Sequence, residues 1–261
     1  MNVLKKVTNS VLWLLRFPHS GEKYLMQKAN ELAGEEVASR VIFTGECQKF
    51  KNLDVAPKNI HISRGKVADI FLDTPECNAH TTAADILWSG TPIITFPKYE
   101  FKMCSRVAAS LTFATGTWGT IPNPIKSPCS FAKSLGSPRL QDINLLGHLM
   151  VVDSYEQYES QAVSLGSSLK WSWKSLTGSP KDFVTDDPIY PSESPTHIFT
   201  PAGLASSIRQ CLFLNKETMP LFDTPGWVRD YEVGLVEAFK IWKKGTGNTR
   251  YISVEKSKIC S

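Results

Sequence analysis

Apolar residues in the first 115 positions follow two patterns. Short, nearly continuous apolar runs occur at 10–16, 40–44, 69–73 and 92–96. Each predicts a buried strand. Segments 21–33, 82–89 and 105–112 instead space their apolar residues at a helical period, with Tyr24, Leu25, Ala29 and Leu32 near one face of the first. Buried strands separated by helices indicate βαβ units around a parallel sheet. Right-handed crossovers then make an open, doubly wound α/β sheet the expected architecture.

The rest of the chain has a different texture. Segments 116–142 and 176–201 are rich in Pro, Gly and Ser and lack a period, and nine of the sixteen prolines fall between Pro122 and Pro201. They are expected to be surface loops or insertions. Between them, 143–175 predicts a strand at 148–152 and then a helix that completes the 1–115 core. The final segment, 202–261, predicts closing helices at 205–214 and 228–243, the second carrying Tyr231, Leu235, Ala238 and Trp242 at helical spacing. Residues 2–7 resemble the tail of an amphipathic helix, so the chain is expected to begin partway through a longer protein.

Composition narrows the class. Apolar residues at 42% and charged residues at 21% are ordinary globular values and exclude wholesale disorder. The strongest apolar run, 11–15, is far shorter than the roughly 20 residues of a membrane-spanning helix, and no secretory signal opens the sequence. The net charge of +4 comes from 29 basic and 25 acidic residues that are interspersed, which gives no argument for nucleic acid. Six scattered cysteines without a C-x-x-C pair, and no Asn-x-Ser/Thr sequon, suit reduced thiols in an intracellular protein.

Ligands of open parallel sheets bind beyond the carboxyl ends of the strands, where helix N-termini present unpaired N–H groups. Two segments meet that description. In VAPKNIHISRG (55–65), Lys58, His61 and Arg64 recur every three residues behind Pro57. An α-helix spreads them over about 120° and a 3₁₀ turn aligns them; a solvated basic face is the plain alternative. In DTPECNAHTTAAD (73–85), His80, Thr81 and Thr82 fall where a helix should start, with Asp85 one turn further on. This arrangement suits a phosphate and a ribose diol, although Thr82 and Asp85 also fit a capping box. His19, His148 and His197 read as surface or capping residues, and Trp13 and Trp88 as core. The sequence contains no G-x-S-x-G elbow, P-loop or H-E-x-x-H.

These segments, VAPKNIHISRG (55–65) and ADIFLDTPECNAHTTAADILWSGTP (68–92), with VLKKVTNSVLWLLRFP (3–18) upstream and SRVAAS (105–110) downstream, resemble the nucleocytoplasmic protein O-GlcNAc transferases. The likeness is dense over 3–112. It implies the Rossmann-like C-terminal half of a GT-B glycosyltransferase, the half that binds the UDP-sugar donor, UDP-GlcNAc. It implies that Ala56 and Arg64 read uracil and His61 stacks on it. Lys58 and Asp85 address ribose, His80, Thr81 and Thr82 hold the diphosphate, and Cys77 lies near the N-acetyl group. It further implies protein Ser/Thr acceptors, no metal or other cofactor, a cytoplasmic or nuclear location, and no catalytic residue within this chain. The base belongs to an N-terminal catalytic half that, like the tetratricopeptide repeats, has no counterpart here. Glu76 and Ala79 depart from the residues usual at their positions. The alternatives are a Spindly-type protein O-fucosyltransferase and an inactive nucleotide-binding or interaction module.

Overall fold

In the computed structural model, described residues are 1–16, 19–44, 58–117, 133–134, 141–142, 144–175, 197–245 and 252, with side chains described except at 58–61, 170–175 and 197–202. A short helix, α1 (Asn2–Lys6), leads into β1 (Leu12–Leu15). Arg40 stitches this passage: its guanidinium donates to the carbonyls of Leu4 at 2.5 Å, Val7 at 3.0 Å, Thr8 at 2.9 Å and Ser10 at 3.2 Å. Five N–H groups in a planar fork suit such a cluster of acceptors. The crossover runs through α2 (Glu22–Ala33) and α3 (Glu35–Ala38) to β2 (Val41–Thr44), which lies parallel to β1 with Leu12 opposite Val41. Leu4, Ala29, Ala38 and Val41 form the small core of this unit, flanked by Leu12, Leu14, Met26 and Phe43.

The larger core lies further on. Helix α4 (Lys58–Gly65) leads to β3 (Phe71–Leu72), α5 (Thr81–Trp88), β4 (Ile93–Ile94) and α6 (Val107–Phe113). Strands β3 and β4 are parallel, and Thr95 continues β4 into a parallel bridge with Val151. Helices α7 (Tyr155–Ser168) and α8 (Leu204–Asn215) complete the layer around them. Leu87, Ile93, Ile94, Leu146, Met150, Leu165, Ile208 and Leu212 are all buried within one cluster. Ser154 caps α7 by accepting from the Gln157 N–H, while the Gln157 side chain accepts from the Asp153 N–H at 2.9 Å. The pattern resembles a capping box shifted by one residue, because Gln157 reaches the N–H of the residue before the cap.

Four sequence expectations change and one open alternative is resolved. Among the described residues the strands form three separate two-stranded sheets, so the fold is mixed α/β with small parallel sheets, without one continuous doubly wound sheet. The strand expected at 148–152 is a 3₁₀ turn, Leu146–Leu149, followed by the single bridge at Val151. Gly147 explains the turn: a Cβ there would lie 2.5 Å from the Phe113 ring, so the chain approaches α6 more closely than a strand bearing side chains allows. His148 is buried against that ring, edge to face at 5.0 Å, and is not a surface residue. Strands β5 (Lys170–Ser175) and β6 (His197–Ala202) form an antiparallel pair that periodicity did not announce; β6 crosses the boundary expected at 201/202. Lastly, Lys58, His61 and Arg64 lie on a true α-helix. Most of 116–142 and 176–196 lies outside the described residues.

The last helix, α9 (Thr224–Lys243), is capped by Asp223, whose carboxylate accepts from the Gly226 N–H. It buries little, and Trp227, Tyr231, Leu235, Phe239 and Trp242 are exposed along it. Among the described residues no helix is long and apolar enough to cross a membrane.

Candidate functional site

Chemistry-bearing residues gather where β3 ends. Asp73 follows the strand directly and is buried, with its N–H on the Ile94 carbonyl. One carboxylate oxygen accepts from the Ala79 N–H and the other from the Thr95 hydroxyl, both at 2.7 Å. Its carbonyl accepts from the Tyr158 hydroxyl at 2.8 Å. Burial raises the Asp73 pKa above the ordinary carboxylate value despite these donors. Burial likewise raises the Tyr158 hydroxyl, which keeps it protonated and donating.

A second set of bonds fixes the loop between Asp73 and α5. The Thr74 hydroxyl donates to the Cys77 carbonyl, and the Asn78 amide group donates to the Thr74 carbonyl. The Asn78 N–H reaches the Cys104 carbonyl at 2.7 Å, and the Ser105 hydroxyl donates to the Pro75 carbonyl at 3.0 Å. Outside the loop, Lys98 is ion-paired with Glu76, and the Tyr99 hydroxyl donates to the same carboxylate. Glu76, one of the two departures from the family pattern, therefore braces the loop.

The brace delivers an exposed corner. His80 occupies the N-cap of α5 without using its side chain as a cap, and the Ala83 and Ala84 N–H groups turn back to its carbonyl. Thr82 therefore lies inside the first turn and is not the cap that its spacing from Asp85 suggested. The N–H groups and hydroxyls of Thr81 and Thr82 have no hydrogen-bond partner among the described residues. His80, Thr81 and Cys77 are exposed, and Thr82 and Asp85 are half-buried. The His80 ring lies with Nε2 3.4 Å from the Cys104 carbonyl. A helix start with open N–H groups, two hydroxyls and an imidazole can receive an anion.

Helix α4 packs by its C-terminal end against the far, C-terminal end of α5. A Cβ on Gly65 would come within 2.7 Å of the Ser89 hydroxyl, so only glycine lets α4 sit this close to α5. The Gly65 carbonyl is held by the Thr91 hydroxyl at 2.7 Å. Lys58 and His61 are placed on α4 by their main chain, and Arg64 lies half-buried in its last turn. Ala56 falls outside the described residues. Thus the structure gathers Cys77, His80, Thr81 and Thr82 at one corner, with Asp85 on the same helix. Sequence reading treated Asp73 only as the end of a strand and missed Thr95, Asn78 and Tyr158; an acidic residue closing an apolar run was the available signal for Asp73. No three His, Cys, Asp or Glu side chains form a metal-binding group among the described residues.

Comparison with known proteins now adds to the geometry. The family model described as glycosyl transferase family 41 matches residues 1–169. The chain is 35% identical over 242 residues to a probable UDP-N-acetylglucosamine–peptide N-acetylglucosaminyltransferase SEC of Arabidopsis thaliana, covering 92% of this chain and 17% of that protein. It is 39% identical over 137 residues to the UDP-N-acetylglucosamine–peptide N-acetylglucosaminyltransferase of Caenorhabditis elegans, covering 52% of this chain and 11% of that protein. A protein of the same name from Giardia intestinalis is 33% identical over 95 residues, 36% of this chain and 6% of its own length. The chain thus spans less than a fifth of the length of these relatives. With well over half its residues matched by that model, the chain belongs to glycosyl transferase family 41.

Proposed function

We propose that this chain is the donor-binding half of an inverting GT-B glycosyltransferase that moves N-acetylglucosamine from UDP-GlcNAc to Ser or Thr hydroxyls of cytoplasmic or nuclear proteins. The observation that carries the reading is the exposed start of α5, where His80, Thr81 and Thr82 stand on a loop locked by Asp73. The names of its relatives supply the donor and the peptide acceptor. In this reading the helix start and the imidazole offset the diphosphate charge as the sugar leaves, without a metal. Lys58 and Asp85 hold the ribose, His61, Arg64 and the main chain at Ala56 hold the uracil, and Cys77 lines the space beside the N-acetyl group. The base and the acceptor contacts come from a separate N-terminal half, because transfer requires donor and acceptor to be bracketed together.

A calorimetric titration of UDP into the 261-residue chain tests the reading. Saturable binding is expected, weakened about tenfold by His80→Ala or Lys58→Ala, a loss of roughly 1.4 kcal/mol each. Unchanged affinity in both variants, with the fold intact by circular dichroism, sinks the assignment.

A second reading, a nucleotide-binding or interaction module with no transfer of its own, is favoured by the apolar residues that α9 leaves exposed. Nucleotide binding by a chain that still transfers no sugar when combined with an N-terminal half of a relative would select it.

A further inference from the structure

Cys77 and Cys104 are 27 positions apart, and nothing in the sequence pairs them. The fold does. The Asn78 N–H donates to the Cys104 carbonyl at 2.7 Å, so the two main chains run at ladder distance. The Cys104 thiol points back to the carbonyl of Glu76, the residue before Cys77, at 3.9 Å, so the Cys104 side chain lies against the main chain at Cys77. Both are free thiols; Cys77 is exposed and Cys104 half-buried, so small oxidants have access to the pair. A main-chain hydrogen bond on one side of Cys77 and the Cys104 thiol on the other set the two residues side by side, as a disulfide requires, since bridged Cα atoms lie about 4.4–6.8 Å apart.

We propose that Cys77 and Cys104 are a reversible disulfide site. Peroxide would close it, tying the loop ahead of α5 to the 3₁₀ turn Met103–Ser105 and thereby controlling access of the UDP-sugar. The control of access rests on the donor-site reading above; the disulfide itself does not. Either cysteine can react first as its thiolate and the other resolve it, and the order with Cys104 first runs through two steps. The Cys104 thiolate attacks the peroxide, the O–O bond breaks, and a sulfenic acid and hydroxide form. The Cys77 thiol then attacks that sulfur. The S–S bond forms, the S–O bond breaks, and the hydroxyl leaves with the thiol proton as water. Two electrons pass from the sulfurs to the peroxide, and a dithiol returns them by exchange.

The consequence follows from position. Cys77 precedes His80 by three residues, and the Cys104 carbonyl already faces the His80 ring at 3.4 Å. A covalent bridge draws the loop onto that turn and fixes the imidazole, so the corner no longer adjusts around a diphosphate. Affinity for UDP-GlcNAc is expected to fall about tenfold, within the usual range of coupling between sites.

The test treats the full chain with hydrogen peroxide, blocks remaining thiols, and digests it with trypsin without reduction. Peptide 67–98 should appear joined to peptide 103–106 and separate again in dithiothreitol. Calorimetry with UDP-GlcNAc on the same samples should show the loss and its recovery. Cys104→Ser should bind UDP-GlcNAc like the reduced wild type and ignore peroxide. Oxidised cysteines without the joined peptides overturn the disulfide, whereas joined peptides with unchanged affinity overturn the control of access. A Cys104→Ser chain that still loses affinity in peroxide also overturns that control. If the reduced chain binds no UDP-GlcNAc while the peptides still join, the donor-site reading and the control fall, and the disulfide stands.

Discussion

The β1–β2 and β3–β4 pairs share one parallel strand–helix–strand pattern but are held differently. The first rests on a small apolar core, and Val11, Leu15 and Ile42 remain exposed beside it. One arginine there reaches four carbonyls, and the Trp13 indole N–H donates to the Thr44 hydroxyl across the two strands. The second pair is only two residues long on each strand, yet it is enclosed by the main core and continued by buried polar side chains: Asp73, Asn78, Thr91 and Thr95. Strand length therefore says little about rigidity here. A short pair sealed by core and by the hydrogen-bonded side chains of Asp73 and Thr95 can hold a loop in place, because a buried polar group fixes its partners where an apolar one only fills space.

Cavity mutations should expose that difference most strongly. Leu87→Ala, at a fully buried position, should cost about 2–5 kcal/mol. Val41→Ala in the small core should cost about 1–2 kcal/mol, two methyl groups at roughly 0.8 kcal/mol each. Urea unfolding measures both, and equal losses would mean that the two cores are one cooperative unit of equal density.

Next in size is the anchor of the loop. Asp73→Ala strands the Ala79 N–H and the Thr95 hydroxyl and should cost about 2–4 kcal/mol. UDP affinity should fall with it. The pH dependence has a definite sign. Because burial raises the folded-state pKa, the Asp73 contribution is fully present below the unfolded value near 3.8 and is lost as pH rises through the higher folded value. Melting temperatures taken upward from about pH 4 should therefore decline more in the wild type than in Asp73→Asn; the reverse order would show that the hydrogen bonds outweigh burial.

Arg40→Met should cost less, about 1–2 kcal/mol, and act locally. Hydrogen exchange should quicken at β1 and β2 while the 73–80 loop stays protected; matching acceleration in both would erase the distinction between the two regions. The smallest effect belongs to the exposed Lys6–Glu159 ion pair, which links α1 to α7. Lys6→Ala should leave the melting temperature unchanged in about 1 M salt, where the screening length is roughly 3 Å.

The helix start at the candidate site was legible before any coordinates. His80, Thr81 and Thr82 were placed at a helix start from the break between an apolar run and a helical period, and α5 begins within one residue of that position. The choice between cap and open helix start was not legible, because Thr82 and Asp85 have the same spacing in either case. Asp73 was also hidden, since its bonds run to Ala79 nearby and to Thr95 on another strand. The 3₁₀ turn at Leu146–Leu149 replaced an expected strand for a similar reason: the approach of Gly147 to Phe113 is a contact between segments far apart in the chain.

The sequence alone determined most of the alternation of strands and helices in the first 115 residues, the helix starts there and the family, because these depend on local periodicity, on capping and turn residues, and on a long specific signature. Only the tertiary structure decided which polar groups meet. It set Asp73 beneath the loop, left the start of α5 open, divided the strands among separate sheets and brought Cys77 beside Cys104. Such pairings depend on how distant segments pack around a core. A one-dimensional pattern carries no term for that distance.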